Sequence, residues 1–173
     1  MTTTHLLHQR SSTLRRVVRE LDAGSTLAWD AELAAAFGDR ETLLVALHDH
    51  WSRQLLSRVD VALELGAGTP HESVAVAWRS AVRDQPGVRR VLAAESADPA
   101  IRAARRSLFA SVAVAAGLAT FDDPATMSAA TGEQFLAAVD AETTAVRTPS
   151  RFARALRRLW DGGPEPDPYP WAA

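Results

Sequence analysis

The densest group of chemically capable side chains is His48-Asp49-His50, with Asp60 further along the same stretch. A helical metal site needs ligands at i and i+4 on one face, whereas residues two apart point about 200° away from each other, so His48 and His50 do not chelate together. His48 follows Leu47 and lies four residues beyond Leu44, which places it at the border of an apolar stripe as a polar group for a pocket wall. His50 is expected to be exposed, His5 and His8 to lie in a frayed terminus, and His71 in a capping turn.

Other chemistries are removed by composition. The chain has no cysteine and no lysine, so all 19 positive side chains are arginine. Thiol nucleophiles, thiolate metal sites, Schiff bases and phosphate-loop lysines are thereby excluded. Neither Gly-x-Ser-x-Gly nor Ser-x-x-Lys occurs, which leaves no acyl-transfer signature. The adjacent acids Asp122-Asp123 read as helix capping before Pro124. No catalytic residue, metal ligand or cofactor is assigned, and an enzyme is not expected.

Aromatic side chains carry the best pocket reading. Trp51, Trp78 and Phe109 are spaced to face one interior, and together with His48 and Leu55 they form the candidate wall of a site for a small apolar ligand. Plain core packing is the competing reading of the same residues.

The elements that must position these residues are helices. Apolar residues recur at three- and four-residue steps and alternating strand patterns are missing, which predicts an all-α helical bundle of about eight helices. The expected spans are 13–23, 27–37, 39–65, 71–84, 87–95, 99–119, 125–146 and 150–161, with Thr131-Gly132 a second possible start for the seventh. Thr69-Pro70-His71-Glu72 is a capping box with proline at the first helical position, and Asp98-Pro99, Asp123-Pro124 and Thr148-Pro149 repeat the cap-then-proline device. The longest helix, 39–65, carries Leu44, Leu47, Trp51, Leu55, Val59 and Ala62 in one stripe that Leu43, Leu56 and Leu63 widen, so it is expected to be a central strut. The organisation follows as a short helical segment over 1–37, a body over 38–161 and a proline-rich tail over 162–173. No run is long and apolar enough for a membrane span, and the start lacks a secretory pattern, which predicts a cytoplasmic protein.

Within this pattern Phe37-Gly38-Asp39-Arg40-Glu41-Thr42-Leu43-Leu44 resembles the point where TetR-type transcriptional regulators leave their DNA-binding head and enter the long helix of the ligand-binding body. Residues 74–94 and Asp98-Pro-Ala-Ile-Arg-Ala-Ala-Arg-Arg106 extend the resemblance, which covers about 37–146. It implies a small-molecule-binding dimer whose last two body helices pair as a four-helix bundle. Only two helices precede the hinge, so the head is shortened or degenerate. An alternative register pairs 27–37 with 39–51 as helix-turn-helix, but the second helix is apolar and acidic where bases and phosphates must be contacted.

Charge bears on the same question. Residues 1–60 carry seven arginines against eight acids, and the chain's net charge is -2, where a DNA-binding head is normally basic. If DNA is bound, Arg15, Arg16, Arg19 and Arg40 are the phosphate-contact candidates. Leu108, Val112, Phe135, Leu136 and Val139 are the candidate homodimer interface, and they can equally complete the monomer core. The cationic helix Arg151–Trp160 and the tail support the alternative function, a non-enzymatic scaffold or partner-binding protein.

Overall fold

The computed structural model describes the backbone of residues 3–66 and 68–147 and the side chains of 8–66 and 68–144. Among these residues there are seven helices and no strand: α1 (Thr3–Asp22), α2 (Ala31–Phe37), α3 (Arg40–Leu65), α4 (Pro70–Asp84), α5 (Pro86–Ala94), α6 (Pro99–Ala115) and α7 (Ala125–Arg147). The helix expected over 150–161, the Thr148-Pro149 cap and the tail over 162–173 lie outside the described residues. Contacts divide the chain into two compact units, Met1–Val139 and Asp140–Ala173. The first holds α1 to α6 and the start of α7, so the helices of segment 1–37 share a unit with α3 to α6. Of the second, the end of α7 is described, where the Thr144 hydroxyl donates to the Asp140 carbonyl at 3.0 Å.

Local chemistry accounts for most boundaries. Asp30 accepts from the Leu33 amide at 2.8 Å and Asp39 from that of Thr42 at 2.7 Å, opening α2 and α3. Glu72 accepts from the Thr69 amide at 2.8 Å, the return bond expected of the capping box. Asp98 accepts from both Ala100 and Ile101 at the start of α6. Asp123 departs from the expectation. Its carboxylate turns back to the Thr120 amide at 2.6 Å and so closes the preceding loop, while α7 starts after Pro124 with a bond from Met127 to the Pro124 carbonyl.

Other boundaries also move. Helix α1 begins at Thr3 rather than 13, and the Ser12 hydroxyl donates to the Gln9 carbonyl at 2.8 Å within it. Helix α2 begins at Ala31 rather than 27, since Asp30 is the residue that satisfies its first amides. Helix α6 ends at Ala115 rather than 119: Gly117 takes a φ of 71°, and Leu118 donates back to Ala113 at 2.9 Å. Helix α7 is continuous through Thr131-Gly132. That glycine serves close approach, because a Cβ on it would stand 2.0 Å from the Phe109 carbonyl oxygen of α6.

Helix α3 is the strut. Its Leu43, Leu44, Leu47, Trp51, Leu55 and Val59 are buried, with Leu56, Ala62 and Leu63 packed half-buried against the core. It packs chiefly on α4 and α6 and also meets α1, α2 and α5. Trp51 and Trp78 fasten α3 to α4 edge to face, with centroids 6.0 Å apart and planes at 80°, a geometry worth about 0.5–1.5 kcal/mol beyond the area it buries.

The end of α1 is locked onto the start of α5. Gln85, the residue before α5, makes no side-chain cap. Asp22 supplies it from α1, accepting from Gly87 at 2.9 Å and Val88 at 3.3 Å, and Arg90 reaches back to the Leu21 carbonyl at 3.4 Å. The approach needs glycine, since a Cβ on Gly87 would fall 1.9 Å from the Leu21 carbonyl oxygen. Gly87→Ala is therefore expected to cost about 3 kcal/mol or more in urea denaturation. Asp22→Ala should cost about 1–2 kcal/mol, and Ala93→Gly on the exposed side of α5 no more than about 1 kcal/mol.

Candidate functional site

The five residues expected to wall a ligand site are all buried, and four of them fill the interior. Trp51, Leu55 and Trp78 belong to the core cluster around α3. His48 is 3% exposed, which makes it the most deeply buried histidine side chain among the described residues. Its Nδ1 lies 3.2 Å from the Ser52 hydroxyl one turn on, and its Nε2 has no hydrogen-bond partner there. Burial pushes its pKa below the ordinary 6.5, the nearby Arg105 adds to the effect, and Asp49 opposes it. The ring is thus held neutral with one polar atom unsatisfied.

Phe109 is where the interior meets the surface. Its ring is capped by the Arg105 guanidinium, 5.1 Å being the corresponding distance for Arg10 over Phe37 and 5.2 Å for this pair. Phe109 and Arg105 line an open groove of about 440 Å³ with Ser96, Pro99, Arg102, Arg106 and Glu133. The sequence places three arginines at i, i+3 and i+4 of α6, so all three stand on one face. Arg105 reaches Glu133 on α7 at 3.5 Å. Among the described residues Arg102 and Arg106 have no carboxylate partner. The groove therefore combines an aromatic edge, a proline ring and a surplus of fixed positive charge. Its arginine set was visible in Arg102-Ala-Ala-Arg-Arg106 as a helical spacing, but only the fold shows that it borders Phe109.

The DNA-contact candidates divide into two kinds. Arg16 bonds Glu20 at 3.0 Å and faces Glu32 at 3.0 Å, and Arg40 bonds Glu95 at 2.6 Å, holding that carboxyl below its usual range. Both guanidiniums already face carboxylates. Arg15 and Arg19 are exposed and line a different groove, between α1 and α3. His50, expected to be exposed, is half-buried in that groove's wall.

The candidate interface residues turn inward. Leu108, Val112, Leu136 and Val139 are buried in the chain's own core, and Phe135 packs half-buried against it. Leu65, Phe121 and Met127 are among the large apolar side chains that face solvent. Among the described residues no three His, Cys, Asp or Glu side chains form a metal-holding group, and no helix is long and apolar enough to cross a membrane.

Compared with protein-family models, curated proteins and solved structures, the chain matches none. Nothing in those comparisons identifies a TetR-type regulator.

Neutral His48 has a pH consequence. Its folded pKa is lowered, so below about 6.5 the unfolded chain takes up a proton that the folded chain refuses. The stability present above that pH is lost as pH falls toward the folded pKa. Urea denaturation at pH 7 and pH 5 should show this decline, and in His48→Leu it should be shallower.

Proposed function

We propose that this chain is a non-catalytic helical protein that binds a small amphipathic anion in the groove beside α6. The observation that carries the reading is the juxtaposition of Phe109 and Pro99 with Arg102, Arg105 and Arg106, of which two arginines lack a carboxylate. Ligand sites join an apolar wall to a few placed polar groups, and a guanidinium meets a carboxylate or phosphate through two parallel bonds. A ligand with a hydrocarbon or aromatic body and one anionic head fits both features.

This reading keeps one part of the resemblance to TetR-type regulators, a helical body that responds to a small molecule, and places no weight on DNA. Arg16 and Arg40 are neutralised by Glu20, Glu32 and Glu95, which weakens them as phosphate contacts. Dimerisation would need a surface other than the buried Leu108, Val112, Leu136 and Val139. Ligand binding would bias α6 and, through the Gly132 contact, α7, provided one arrangement of the two helices binds better than the other.

The test compares 4-phenylbutyrate with its neutral analogue 4-phenylbutanol by thermal denaturation. A ligand at about a hundred times its Kd stabilises the folded state by about 2.7 kcal/mol, a rise of several degrees for a domain of this size. The acid should raise the melting temperature, the alcohol should not, and Arg102→Gln/Arg106→Gln should abolish the rise. An equal rise with both compounds, or no rise with either, overturns the proposal.

A further inference from the structure

A second groove of about 580 Å³ opens between α1 and α3 at the elbow joining α4 to α5. Ser12, Arg15, Val18 and Arg19 come from α1, His50 and Gln54 from α3, and Gln85 from the elbow. It lies apart from the α6 groove and shares no residue with it. The lining contains no acid. Arg15 and Arg19 are four residues apart, so both guanidiniums can converge on one group, and among the described residues neither has a carboxylate partner. Their neighbour Arg16 is turned away onto Glu20 and Glu32.

The inner wall is polar and built. Gln85 Nε2 lies 3.2 Å from His50 Nε2. With the amide donating, His50 Nε2 accepts and the ring carries its proton on Nδ1. Burial, and next Arg53, favour this neutral ring, while Asp22 opposes it. The Asp22 carboxylate is itself occupied by the Gly87 and Val88 amides. Gln85 Oε1 is buried and has no hydrogen-bond partner.

From these groups we infer that the α1/α3 groove is a binding site for a small phosphate monoester bearing hydroxyl groups. The phosphoryl group would meet Arg15 and Arg19. A dianion with three peripheral oxygens can bond two guanidiniums at once. Hydroxyl groups on the same molecule would meet the Gln54 amide at the rim and the Gln85 side chain on the inner wall. The volume admits a molecule of sugar-phosphate size.

The experiment follows the His50 imidazole by nuclear magnetic resonance, assigned with a His50→Gln variant, while the full chain is titrated with glucose 6-phosphate, inorganic phosphate or glucose. The expected result is a saturable displacement by glucose 6-phosphate with Kd of about 1 mM or tighter and at least about ten-fold weaker binding of inorganic phosphate. Glucose should leave the signal in place. Arg15→Gln/Arg19→Gln should weaken glucose 6-phosphate binding by about ten-fold or more, with an unchanged urea midpoint showing that the fold is intact. An unmoved His50 signal, equal binding of inorganic phosphate and glucose 6-phosphate, or undiminished binding by the double variant overturns the site. Arg102→Gln/Arg106→Gln is expected to leave this titration unchanged; loss there would show that His50 reports the α6 groove and would also overturn it.

Discussion

A helix of 26 residues with apolar side chains on more than one side cannot stand at a protein surface, and the burial of α3 is the constraint from which the remaining packing follows. At about 1.5 Å per residue it extends roughly 39 Å. Leu43, Leu47 and Leu55 lose all contact with water, and α4 and α6 cover it most extensively. Each fully buried leucine contributes on the order of 1.5–3 kcal/mol against the chain entropy that ordering the helix costs. His48 is carried inside by the same geometry, since it follows Leu47 on a helix that is covered on that side too.

Once α3 is enclosed, the outer helices must pack closely enough to leave no gap, and backbone contact replaces side-chain contact at two places. Gly87 lets the start of α5 meet the end of α1, and Gly132 lets α7 meet α6 at Phe109. At the first place Asp22 also satisfies amides that Gln85 leaves open. This lock holds Gln85 beside α1 and α3, which gives the second groove its inner wall. The grooves are thus consequences of how the outer layer closes over the strut.

Arginine is the chain's only strong cation, and its placement is uneven. Arg16, Arg40, Arg58 and Arg105 each reach a carboxylate at 2.6 to 3.5 Å. Such partly exposed pairs contribute little to stability, with a median near 0–1 kcal/mol. Arg15, Arg19, Arg102 and Arg106, by contrast, line grooves and have no carboxylate partner among the described residues. A guanidinium keeps its charge at any physiological pH, so unpaired arginines in a concave surface present a permanent attraction for anions.

The helical class, the strut and most helix starts were legible from residue order, because caps, prolines and three-to-four periodicity act over a few residues. The capping motifs at Thr69-Pro70 and Asp98-Pro99 open helices through bonds within three positions, Glu72 accepting from the Thr69 amide and Asp98 from those of Ala100 and Ile101. Where the reading of order failed, a nearby competitor had won: Asp123, expected to cap before Pro124, bonds back to Thr120. What tertiary structure alone decided is which distant residues meet. The apolar faces of Leu108, Val112 and Leu136 suit a dimer or a core equally well, and only the surrounding helices turn them inward. Likewise Arg15 and Arg16 are adjacent and chemically identical, yet one faces a groove and the other two carboxylates, because a 100° step on a helix places them against different neighbours.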